Sequence, residues 1–214
     1  MSDTPGETGD TTRAFRDALG SFATGVTIAT TLDAERRPVG VTASSFNSVS
    51  LDPPLVLWSL SKGALSRAAF AHSGHFAIHV LAAGQQDLSD RFARSGADKF
   101  ADIAWAEGTL GSPLFDDCAA RFECRTRHEY EGGDHIILVG EVVRFEARDV
   151  APLLFHAGGY ARRRARTDAA SQEVLNAVIG TERALDAIAH GRLQGKQLDE
   201  ALQLMQQLSS LAAR

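Results

Sequence analysis

Five hydroxyl side chains, Thr42, Ser44, Ser45, Ser48 and Ser50, crowd the run VGVTASSFNSVSLDPPLVL between Val39 and Leu57. Alcohols and turn amides this dense, flanked by apolar strand-like stretches, suit a phosphate or the polar edge of a ring approaching the backbone closely. The same residue types also fill ordinary β-turns and strand edges, and by themselves they fit that reading better. The chain carries neither GxGxxG nor GxxxxGK[ST], so a phosphate would need some such alternative cradle. Lys62, just after LVLWSLS, adds one positive charge nearby.

Further along, RFARSGADKF (Arg91–Phe100) sets the cations Arg91 and Lys99 and the aromatics Phe92 and Phe100 around a Gly-containing bend. The phenylalanines read as core plugs, and the cations as candidates to meet an anion. Asp134-His135 follows a Gly-Gly turn, with no second His or Cys at metal-binding spacing. Phe155, His156 and Tyr160 lie in LLFHAGGYA, where Gly158-Gly159 permit close backbone approach and Tyr160 either stacks on a ring or covers the fold. Arg162–Arg166 reads as a solvated linker, with a grip on a dinucleotide pyrophosphate as the alternative. No triad, metal cluster or paired catalytic carboxylates emerge.

The elements that position these residues follow from periodicity. Phe15, Ala18, Leu19 and Phe22 recur at helical spacing, with Gly25 as the stop. Strands are expected at Val26–Thr31, Val39–Ser45, Leu55–Leu60 and Phe76–Leu81, with Pro53-Pro54 halting pairing before the third. Short helices are expected at Ala64–Ala71 and Gln85–Ala93. Ala119–His128 alternates most cleanly: Ala120, Phe122, Cys124 and Thr126 share one face, and Arg121, Glu123, Arg125 and Arg127 the other. A turn at Glu131–Asp134 leads into a strand over His135–Ala147. Many short strands without βα alternation predict a mainly β fold, an antiparallel barrel. After Tyr160 the pattern turns helical. Val174, Val178, Leu185, Leu175, Ile179 and Ile188 mark one helix, and Leu198, Ala201, Leu202, Met205, Leu208 and Ala212 a second.

At 214 residues and 44% hydrophobic, the chain can bury one ample core. A net charge of −5 argues against nucleic acid or an anionic membrane as the main partner. Residues 1–12 are polar and acidic, without an export signal, and read as a disordered tail. Cys118 and Cys124 match no CxxC or zinc framework, and Cys124 reads as a buried free thiol. The expected location is the cytoplasm.

In series and order, FATGVTIAT, VTASSFNSVSLDPP, RFARSGADKF, EGGDH and LLFHAGGYA make the chain resemble the flavin reductase family, the split-barrel partners of two-component monooxygenases, across roughly residues 13–163. The resemblance implies a split antiparallel β-barrel with peripheral helices over residues 13–164, followed by a helical hairpin extension at 165–214. It implies that Thr42, Ala43, Ser44, Ser45 and Phe46 line FMN or FAD, that Ser50 and Leu51 continue the contact, and that Lys62 adds charge. His79, Val80 and Leu81 through Gln85 would pass the isoalloxazine edge, although His79 stands where relatives often carry Asn. Arg91, Phe92 and Lys99 would help close the site, while His135 and Tyr160 would meet NADH or NADPH.

Hydride transfer from nicotinamide to flavin needs no protein nucleophile. The protein must stack two rings with reacting atoms roughly 3–3.5 Å apart. The expected activity is therefore NAD(P)H-dependent reduction of FMN or FAD. The reduced flavin would feed a separate oxygenase, often one that hydroxylates an aromatic compound. The alternative is a flavin sensor or carrier without turnover. A homodimer is implied, with the C-terminal hairpin packing in its interface or over the flavin mouth.

Overall fold

The structure, a computed structural model, describes residues 7–96 and 98–161. It begins with helix α1 (Glu7–Gly20), so the second half of the expected tail is helical. Gly20 ends that helix, not Gly25, and Phe22 lies beyond it. Phe15, Leu19 and Phe22 are exposed rather than packed. Gly25 already belongs to the short strand β1 (Thr24–Gly25), paired with β11 (Leu154–His156), which folds back on β12 (Gly159–Ala161).

The central sheet is antiparallel throughout. It is assembled from β2 (Thr27–Leu32), β3 (Pro38–Ala43), β4 (Asn47–Leu51), β5 (Pro54–Ser61), β6 (His75–Val80), β9 (Ala120–Gly132) and β10 (His135–Ala147). Their spatial order is β3-β2-β6-β9-β10-β5-β4, and β3 also comes into contact with β5. A small pair, β7 (Ala106–Glu107) with β8 (Pro113–Leu114), forms a separate sheet packed on β2 and β6 through β8. β4 is a correction to the sequence reading. The hydroxyl run does not stop at the proline pair but forms a hairpin, with Leu51 opposite Pro54.

All six residues of β2 are buried, because other elements cover both of its faces. Its three threonines survive burial by finding carbonyl acceptors: Thr27 Oγ1 donates to Ala43 O (2.7 Å), Thr30 to Pro113 O (2.6 Å) and Thr31 to His75 O (2.8 Å). The strands enclose a core of Trp58, Phe70, Phe76, Ile78, Cys124 and Leu138, in which each phenylalanine, Ile78 and Leu138 contributes about 1.5–3 kcal/mol of burial. A second cluster, Ile28, Leu81, Phe92, Phe100, Phe115 and Leu153, lies beneath the helix α3 (Gln86–Ala93). Both cysteines are buried and free, as expected for Cys124.

Helix α2 (Arg67–Ser73) starts later than its pattern implied and ends at Gly74, whose φ of 69° is the left-handed turn glycine adopts cheaply. α3 is fastened to the sheet by Thr42, whose hydroxyl donates to Ser89 O (2.7 Å). From the other side, the Tyr160 hydroxyl reaches Ser89 Oγ (2.8 Å) and Asp90 Oδ1 (2.6 Å). Close approach is completed at Gly40. A Cβ there would meet Phe92 Cε1 at 2.5 Å, so only glycine lets the α3 phenylalanine lie on β3. The expected hairpin at 165–214 lies outside the described residues.

Candidate functional site

Between β3 and β5 lies a groove of about 550 Å³, within the range of small-molecule sites. The end of β3 and the bend that follows it, Thr42 to Ser45, form one wall and Ser59–Ser61 of β5 the other. The β10–β5 register sets His135 opposite Ser61 and so brings the imidazole to the groove's end, beside Gly132 and Ile137. Alcohols thus face aliphatic surface from Val41, Ala43, Leu60 and Ala64, an arrangement suited to a flat ring with a polar edge.

The hydroxyls divide by what they already hold. Ser45 Oγ accepts from Ser59 N–H (2.9 Å) and donates to Ser59 O (3.2 Å), extending the β4–β5 ladder beyond Asn47. Thr42 is committed to α3. Ser44, exposed on the groove wall, has no hydrogen-bond partner among the described residues and is, with the Ser59 hydroxyl opposite, an alcohol left for a ligand. At the other end, His135 Nδ1 donates to Asp134 Oδ1 (2.7 Å), since a carboxylate can only accept. That bond holds the Asp134 carboxyl below the usual range and fixes the ring's orientation, so that Nε2 is the acceptor of its uncharged form.

Several expected ligand residues are not brought here. His79 is fully buried: its Nδ1 faces Ile28 O (3.1 Å) and its Nε2 accepts from Phe115 N–H (3.2 Å), so it belongs to the core. Burial pushes its pKa down to about 4. Leu81 is buried in the second cluster, and Val80 lies in β6, outside the groove lining. Gln85 is spent on the chain, accepting from Ala82 N–H and donating to Asp116 O. Phe46 packs on Phe122, while Ser50 and the 92% exposed Leu51 sit on β4 away from the groove. Lys62 pairs with Glu131, and the Arg91 guanidinium donates to Ala101 O (2.7 Å). Phe92 is a core plug, and Tyr160 fastens α3 and lies outside the groove lining.

A second groove, about 590 Å³, shares Val41, Ser61 and Ala64 with the first. It runs past Val39, Leu65 and Ser66 to Arg94 and Lys99. Lys99 lines this second groove, and its ammonium donates to Gly40 O (3.2 Å) and Phe92 O (2.9 Å). Its partial burial lowers its pKa. Ser59, Ser61, Ile137 and Arg94 were missed by the sequence reading. The alternation in LVLWSLS marks the two serines, but the pairing with His135 is nonlocal.

The flavin reductase-like domain model matches residues 19–164. The chain belongs to the flavin reductase family. It is 49% identical over 154 residues to the FMN reductase (NADH) SmoA of Agrobacterium fabrum, covering 72% of this chain and 87% of that protein. It is 45% identical to HsaB of Rhodococcus jostii, the reductase subunit of a flavin-dependent monooxygenase, over 69% of this chain and 76% of the relative. It spans only 48–64% of three other relatives. The NADH:FAD oxidoreductase SgcE6 of Streptomyces globisporus, solved with NAD and FAD fragments, superposes with a TM-score of 0.70 at 37% identity, covering 74% of this chain and 96% of that one. A flavin reductase fold therefore carries the groove between β3 and β5.

Proposed function

We propose that this protein is an NAD(P)H-dependent reductase of FMN or FAD, with the flavin ring in the β3–β5 groove. The carrying observation is the juxtaposition of an unpaired alcohol, Ser44, and an oriented imidazole, His135, at a groove walled by aliphatic side chains. When bound, the flavin supplies the ring that accepts a hydride from the nicotinamide. The chain's residues do the positioning. The Thr42–Ser45 turn offers polar contacts to the ring edge, Val41 and Ala64 exclude water from its face, and His135 Nε2 accepts a hydrogen bond from the reductant's carboxamide.

On this reading the sheet closes as a split barrel, supported by the contact of β3 with β5, and the molecule works as a cytoplasmic homodimer. The reduced flavin serves a separate oxygenase acting on an aromatic compound, in keeping with the relatives that are monooxygenase reductase subunits. Among the described residues no helix is long and apolar enough to cross a membrane.

Mixing the protein with NADH and excess FMN under nitrogen should bleach the oxidised flavin band catalytically. Absence of bleaching with either NADH or NADPH refutes the reductase. Tight flavin binding without turnover would instead mark a flavin sensor or carrier.

A further inference from the structure

Tyr130 is a large aromatic that the protein leaves 53% exposed beside the first groove. The ladder fixes where it points. Ile137 on β10 lies opposite Ser59 of β5 on one side and opposite Tyr130 of β9 on the other. Residues directly opposite one another in an antiparallel ladder project from the same face. Tyr130 therefore extends a row whose other two members, Ser59 and Ile137, line the groove. The next row toward the β9–β10 turn is Ser61, His135 and Gly132, all of them groove lining. Gly132 puts no side chain between Tyr130 and the groove's end. A strand spacing of about 4.8 Å and a rise of about 3.4 Å per residue set Tyr130 roughly 8 Å from His135, backbone to backbone.

The ring is backed from within its own strand. His128, two residues earlier on β9 and so on the same face, stacks on it with centroids 5.6 Å apart and planes inclined at 27°. Neither side chain has a hydrogen-bond or ion-pair partner among the described residues, so neither is engaged elsewhere. We propose that Tyr130 stacks on the adenine ring of the nicotinamide dinucleotide, so that the site prefers the dinucleotide to its nicotinamide mononucleotide half. The proposal rests on the reductase reading above, in which His135 receives the nicotinamide carboxamide. A dinucleotide carries two flat rings on a flexible pyrophosphate. With one ring at His135, the other needs a surface within a bent cofactor's reach, apolar on its face and wet at its edge, and an exposed phenol ring is such a surface. The contact lies at the far end from hydride transfer and is the same in ground state and transition state, so Tyr130 is a binding residue that acts on KM and leaves kcat alone. Two other uses of the ring make different predictions. Packing against a second copy of the chain would show in oligomeric mass, and a cross-strand pair with Ile137 would show in stability alone.

Calorimetric titrations of the full chain in saturating FMN, with NAD⁺ and with nicotinamide mononucleotide, measure the contact without turnover, because both ligands are already oxidised. The wild type should bind NAD⁺ about tenfold or more tighter than the mononucleotide, and Tyr130→Ala should erase most of that difference by weakening NAD⁺ alone. Tyr130→Phe and Tyr130→Trp should keep it. In steady state, Tyr130→Ala should raise the KM for NADH by the same factor at an unaltered kcat, with no change for the reduced mononucleotide. Three results would overturn the proposal: both ligands weakened alike, neither weakened, or a wild type that binds the two equally. A changed oligomeric mass in Tyr130→Ala, or a lower Tm with NAD⁺ affinity intact, would equally overturn it, leaving Tyr130 as an interface or fold residue. A wild type that turns over NADH and FMN while Tyr130→Ala behaves identically removes only this proposal. If the wild type binds neither flavin nor NAD⁺, the underlying functional reading falls with it.

Discussion

His79 makes the protein acid-sensitive in a way that can be worked out from its surroundings. The ring is enclosed on β6, tilted against Phe115 at 4.9 Å, and both nitrogens are committed. Nδ1 carries the proton toward Ile28 O, and Nε2 must stay bare to accept from Phe115 N–H. A second proton would set donor against donor and leave a charge in the core. Burial chiefly, with repulsion from Arg121, therefore lowers the pKa from 6.5 to about 4. The unfolded chain takes up that proton near the ordinary value. Between the two values U binds more protons than N, so stability is fully present above about pH 6.5 and is lost as pH falls toward 4.

At about 1.4 kcal/mol per pH unit the loss comes to about 3 kcal/mol, a large share of a typical domain's stability. Urea unfolding followed by tryptophan fluorescence, from about pH 7.5 to about pH 4, should show this slope in the wild type. His79→Gln keeps one donor and one acceptor but cannot titrate. Its stability deficit at neutral pH should narrow by about 3 kcal/mol at the acid end. Other groups titrate in both proteins and cancel in the difference. A constant offset across the range refutes the reasoning, as would an NMR titration showing the wild-type ring protonating near its ordinary value.

Gly40→Ala should cost about 1–3 kcal/mol in urea unfolding, because the new methyl meets the buried Phe92 ring at 2.5 Å and the ring has Phe100 and Phe115 behind it. Thr126→Val should raise stability by about 1 kcal/mol, since the Thr126 hydroxyl is buried without a hydrogen-bond partner among the described residues and valine has the same shape. His135→Ala should raise the KM for NADH about tenfold and leave FMN affinity nearly unchanged, as expected for a lost acceptor on the reductant side. Steady-state kinetics with each substrate varied would check this, and an unchanged NADH KM would remove His135 from the reductant's site.

Local patterns were readable and nonlocal commitments were not. The alternation of Phe122 and Cys124 against Arg125 and Arg127, with Gly132-Gly133 after it, marked β9, its turn and β10 within a few residues. β4 escaped because Asn47–Leu51 is mostly polar, so its hydroxyls read as turn chemistry and masked a strand. Among the groove's lining residues, the Thr42–Ser45 run and His135 were legible because chain neighbours announce them. His79, Lys62 and Gln85 are already engaged by the protein itself, in one shared way. Each is satisfied by an atom far along the chain or across the sheet: Phe115 N, the Glu131 carboxylate and Asp116 O respectively. No spacing rule announces such a partner.

The central claim is that the β3–β5 groove holds the flavin. A crystal of this protein soaked with FMN measures it most directly. The account predicts isoalloxazine density between the Thr42–Ser45 turn and Ser59–Ser61, within reach of Ser44. Density for the ring at another surface, with this groove vacant in protein that still turns over NADH and FMN, would contradict it.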